Sequence, residues 1–117
     1  PGIRSLSTEH KVYHVIYCGS LPKRDAAYHQ GTAWGFLMGG FLTAYMKVHH
    51  HSPEAKKQAM AYLAPVQAHL LEEGCIGSIS EIFDGDAPHT CRGCYAQAWS
   101  VGEILRCYTQ DIQKNQK

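Results

Sequence analysis

Between two segments of helical periodicity lies a stretch, Gly77 to Ser100, that is too long for an ordinary link between packed helices. It reads GSISEIFDGDAPHTCRGCYAQAWS, whereas such links usually run to roughly two to eight residues. A connection of this length either carries function or packs against other parts of a larger fold. Its composition narrows the choice. Glu81, Asp84 and Asp86 are set among Ile79, Ile82, Phe83, Tyr95 and Trp99, where a solvated loop would be rich in Lys, Ser and Asn. Carboxylates among aromatic rings suit a carbohydrate-cleaving pocket, because rings stack on sugar faces while acids move protons. An acidic turn above a hydrophobic core has the same composition and stands as the plain alternative.

The segments around this loop read as helices. From Gly31 the residues Trp34, Leu37, Met38, Phe41, Leu42, Tyr45 and Val48 recur at spacings of three and four, with Thr32 as N-cap. Gly35, Gly39 and Gly40 weaken that helix and point to a close neighbour, another helix or a ligand. A second helix is announced by Ser52 as cap, Pro53 in its first turn and Glu54 at its positive end. Its buried stripe is Ala59, Tyr62, Leu63, Val66 and Leu70; Gly74 is the expected stop, and Pro65 predicts a kink or break near Tyr62. A third helix is expected from about Ala96 to Gln110, with Val101, Ile104, Leu105, Tyr108 and Ile112 on one face and a frayed tail from Gln113 to Lys117. Residues 1 to 29 show no helical period. They read as an irregular arm, with one extended piece over Val12 to Tyr17 that Gly19 and Pro22 break. The pattern is all-α, with about three main helices and long functional loops.

At 117 residues the chain is a single unit, one domain or part of one. A net charge of +1 gives no field to draw nucleic acid or an anionic membrane. No apolar run approaches the ~20 residues of a membrane span. Five cysteines are an odd count and favour reduced thiols in the cytoplasm over a secreted disulfide scaffold.

Three blocks in register, Tyr28-His29-Gln30-Gly31-Thr32-Ala33-Trp34, Ser80-Glu81-Ile82-Phe83-Asp84-Gly85 and Gln97-Ala98-Trp99-Ser100, resemble the glycogen debranching enzyme family. The resemblance is to its bacterial and archaeal amylo-α-1,6-glucosidase branch and covers almost the whole chain. It implies the C-terminal part of an (α/α)6 toroid of glucoamylase-like type, with the chain a fragment of a glycoside hydrolase catalytic domain and inactive alone. The implied reaction is hydrolysis of the α-1,6-linked glucose stub of a branched α-glucan, a glycogen limit dextrin, with inversion and without metal or cofactor. The implied partners are that glucan and the remaining helices of the catalytic domain, failing which the chain would self-associate. By the same resemblance Glu81 is the general base, and the partner acid belongs to an upstream segment. His29, Gln30 and Trp34 fall in the substrate-side block; Ala33 and Gly35 stand where the family usually shows Val and Pro, and Phe36 where it shows Trp, which bears on subsite shape. Asp84 could bind sugar hydroxyls or form a turn, Asp86 suits a turn about Gly85, and Arg92 could steer Glu81 or Asp84 by an ion pair.

Two rivals come from other classes. Cys91 and Cys94 form a C-x-x-C pair that His89, His49, His50 or His51 could complete as a small zinc-binding domain, though a second paired ligand set is missing. A non-catalytic helical interaction module is the other.

Overall fold

The computed structural model describes residues 1–113, so the tail residues 114–117, expected to fray, lie outside the described residues. The fold is mostly helical but not all-α. Among the described residues the elements run β1 (Ile3–Arg4), α1 (Leu21–Tyr28), β2 (Ala33–Trp34), α2 (Leu37–Val48), α3 (Pro53–Glu72), β3 (Ile82–Phe83), β4 (Cys91–Arg92) and α4 (Ala98–Cys107), which continues as a π-helical turn, Tyr108–Gln113. The strands form one antiparallel sheet in the order β1-β2-β3-β4. Ile3 pairs with Trp34, Trp34 with Ile82, and Ile82 with Arg92.

That sheet is the first correction to the sequence reading. Strands of two residues are too short to leave an alternating pattern, and Trp34 also fits the helical spacing of Leu37 and Met38. Thr32 therefore caps nothing. Its hydroxyl donates to Tyr28 O at 2.6 Å, and α2 begins five residues later. The second correction is α1, which stands in the supposed irregular arm. Pro22 reads as a breaker, yet in the first turn of a helix its missing N–H is no loss. Val12 to Tyr17 forms no strand and is stitched to other segments instead. His14 N donates to Gln30 O at 2.6 Å and Gly85 N to Val15 O at 2.8 Å.

α3 forms as its caps foretell, with Ser52 Oγ accepting from Ala55 N at 3.1 Å. The helix runs on through Pro65 without a break and ends at Glu72, with Gly74 just beyond at φ +60°. Met38, Leu42 and Met46 of α2, Ala55, Ala59 and Leu63 of α3, and Cys107 and Ile112 form the main core. Ala33, Val66, Ile79 and Phe83 form a second core beneath the sheet. Gly39 explains how α2 and α4 meet so closely. A Cβ there would lie 3.0 Å from Glu103 O and 2.5 Å from its carboxylate, so the helix neighbour expected from the glycine is α4.

A polar clamp closes the same contact. Arg106 donates to Glu103 Oε1 at 3.1 Å, to Thr43 Oγ1 at 3.0 Å and to Asp111 Oδ2 at 3.3 Å. The Thr43 hydroxyl donates to Asp111 Oδ2 at 2.5 Å.

Candidate active site

Glu81 immediately precedes β3 and is fixed through its backbone before its side chain is considered. Its N–H donates to Cys94 O at 2.8 Å and its carbonyl accepts from Gly35 N at 3.4 Å. The approach to it is also anchored. Ser80 N donates to Nε2 of His69 at 3.2 Å, and His69 Nδ1 lies 3.2 Å from Glu73 Oε2. Nε2 accepts from the backbone, which leaves Nδ1 of this buried imidazole as the ring donor directed at Glu73. His69 also meets Phe83 edge-on at 4.9 Å. Thus the C-terminal end of α3 pins the residue before Glu81.

The Glu81 side chain is half-buried. Oε1 accepts from the Tyr28 hydroxyl and Oε2 from Cys94 N at 3.0 Å. Gly93 makes the second bond possible. It adopts φ +68°, and a Cβ at that position would lie 2.5 Å from Oε2. A carboxylate offers about four acceptor directions, and two are taken, so Glu81 can still receive a proton from a water. Burial, and after it the hydrogen bond to Glu81, pushes the Tyr28 hydroxyl well above the usual phenol range. Tyr28 therefore stays a donor at neutral pH.

Around this pair stands a cluster of rings. Tyr28 meets Trp34 edge-on at 4.7 Å, and His29 stacks on Trp34 at 4.9 Å with the planes 4° apart. Trp34 is buried, and its Nε1–H donates to Thr32 Oγ1 at 3.0 Å and to Tyr28 O at 3.2 Å. His29 is exposed and Gln30 half-buried, both at the end of α1 beside the ring cluster. Phe36 meets Trp34 at 6.0 Å and stacks on Trp99 at 4.9 Å.

Asp84 and Arg92 meet each other rather than Glu81. Arg92 Nη2 donates to Asp84 Oδ2 at 2.9 Å and its Nε to the same oxygen at 3.1 Å, while Tyr17 N donates to Oδ1 at 3.0 Å. Asp84 is 5% exposed, and its hydrogen bond holds the Arg92 guanidinium above its ordinary value. Asp86 begins a turn over Ala87 and Pro88 rather than about Gly85, its carbonyl accepting from His89 N at 2.9 Å, while its side chain accepts from the Tyr13 hydroxyl at 2.8 Å.

The structure thus brings His29, Trp34 and Glu81 around Tyr28 and pairs Asp84 with Arg92 beside them. Sequence reasoning missed Tyr28 as a partner of Glu81, because its helix was not recognised, and missed His69, whose place on the α3 stripe was the one available signal. Among the described residues no three His, Cys, Asp or Glu side chains gather as a metal site, and all five cysteines are free. No helix among them is long and apolar enough to cross a membrane. Two hollows lie elsewhere. One of about 690 Å³ lies along residues 1–8, and an apolar groove of about 390 Å³ runs between α3 and α4. Neither is lined by Glu81.

No curated protein and no solved structure shows significant similarity to the chain. A family model described as amylo-alpha-1,6-glucosidase does match, and it spans residues 1–106. That span contains β1 to β4, Glu81 with both its donors and the ring cluster, and on this match the chain belongs to the amylo-alpha-1,6-glucosidase family.

Proposed function

We propose that this chain is the C-terminal part of a glycogen debranching catalytic domain built as an (α/α)6 toroid, and that Glu81 is its general base. The reaction is hydrolysis of the α-1,6-linked glucose stub of a branched α-glucan. Glu81 takes a proton from a water that attacks the anomeric carbon from the side opposite the leaving oxygen, so the configuration inverts. The general acid comes from chain outside these residues, at roughly 6.5–9.5 Å from the base, the spacing that leaves room for the water. The observation that carries this reading is the half-buried Glu81 carboxylate, held by Cys94 N and by Tyr28 of the ring cluster, with acceptor capacity to spare.

The other residues take supporting roles. His29 and Gln30 present polar groups to sugar hydroxyls, with Trp34 as the platform behind His29. The Asp84–Arg92 pair holds the loop that carries Glu81 and borders the glucan. The free thiols fit a cytoplasmic setting.

The test is glucose release from a singly branched limit dextrin by the intact protein, wild type beside Glu81→Gln. Loss of a general base slows such a step by about 10²–10⁴-fold. That loss with dextrin binding retained is the expected result. Release by Glu81→Gln at near the wild-type rate would remove Glu81 from the chemistry.

A further inference from the structure

Trp99 is 47% exposed although it stands among rings that could cover it. One side of the indole is occupied by Phe36, 4.9 Å away and inclined by 28°. Trp34 approaches at 6.3 Å with its plane at 61°, and Trp34 in turn meets Tyr28, the donor to Glu81. The backbone makes the same connection. Gln97 N donates to Ile79 O at 2.9 Å, and Gly35, next to Phe36, donates to Glu81 O at 3.4 Å. Trp99 is therefore seated rigidly with respect to Glu81, with aromatic surface left open.

Such a surface suits a pyranose. The C–H face of a glucose ring covers an indole, while its hydroxyl edge remains free for polar groups. Trp34 cannot serve in this way, being 4% exposed with His29 stacked on its ring. The groups that touch the Glu81 carboxylate are Tyr28 and the turn at Gly93–Cys94, whereas Trp99 meets Trp34, which in turn meets Tyr28. Trp99 is thus joined to the residue that holds the carboxylate through one ring, Trp34.

We propose that Trp99, backed by Phe36, is a stacking platform for a glucose ring of the glucan main chain, next to the glucose that is cleaved. This rests on the reading of Glu81 as the base. It makes Trp99 a determinant of specificity for branched glucan over simple α-glucosides.

The experiment compares Trp99→Ala and Trp99→Tyr with wild type in the intact protein on two substrates. α-Glucosyl fluoride fills only the site of the cleaved sugar, and a singly branched maltooligosaccharide fills both. The expected result is a rise in KM of roughly tenfold for the branched substrate in Trp99→Ala, no change with the fluoride, and near-complete rescue by Trp99→Tyr. Equal loss on both substrates would make Trp99 a support of the fold only and overturn the proposal, as would no change on either. Affinity for maltotetraose, measured by calorimetry without turnover, separates this from the base reading. It should fall about tenfold in Trp99→Ala whether or not Glu81→Gln retains activity, and an unchanged affinity would also overturn the proposal.

Discussion

The Glu81 carboxylate takes one hydrogen bond from a side chain and one from the backbone, and only the first can be removed without disturbing the turn. Tyr28→Phe deletes the hydroxyl and keeps the ring that packs on Trp34, His29 and Tyr17. Because burial and Glu81 hold that hydroxyl in its protonated form, it acts as a fixed donor that aims the carboxylate. With Glu81 as the proposed base, the mutant should lose about tenfold in kcat with KM for the dextrin unchanged, since misaim of a base affects the transition state more than substrate binding. A rise in KM at constant kcat would place Tyr28 in substrate binding instead. Glu81 stands out in the sequence because its block is distinctive and its flanks, Ile79 and Ile82, are apolar. Tyr28, 53 positions away, does not, for no local pattern joins a tyrosine at a helix end to a carboxylate across a sheet.

Legibility among the elements follows how much local chemistry each one needs. α3 carries its own start in Ser52 and Pro53, and those signals hold wherever the helix packs. The sheet carries none, since β1 to β4 exist only through their mutual pairing. The α2–α4 contact lies between these cases, for Gly39 announced a close neighbour without saying which. Its clamp should depend on pH. The hydrogen bond from Arg106 holds the Glu103 carboxyl below its ordinary 4.5. A carboxyl depressed in the folded state stabilises above its unfolded value, and that contribution is lost as pH falls through the folded value. Glu103 is 36% exposed, so solvent screening limits the effect to about 0.5 kcal/mol at neutral pH. Urea denaturation should show Glu103→Gln less stable by that amount at pH 7, with the gap closing below about pH 4. A gap that stays constant with pH would mean that packing, not charge, accounts for it.

For the whole molecule, the radius of gyration is 14.9 Å, where a compact domain of this length has about 13 Å. The surplus goes with apolar surface left open along α3 and α4. Leu105, expected inside, is 59% exposed, and Met60 is 38% exposed. Both line the groove with Leu63, Val66, Ile104 and Tyr108. The helical period had placed Leu105 on a buried face, which is right for a helix covered on both sides and wrong for one left open along the groove. In the proposed toroid that neighbour is another helix of the catalytic domain. The 117-residue chain, prepared alone, should therefore bury the groove against a second copy. Sedimentation velocity should show concentration-dependent association, and the double substitution Met60→Glu with Leu105→Glu should return it to monomer with its helical content retained. A well-behaved monomer at high concentration without those substitutions would mean that the groove needs no cover, and the toroid reading would lose its main physical support.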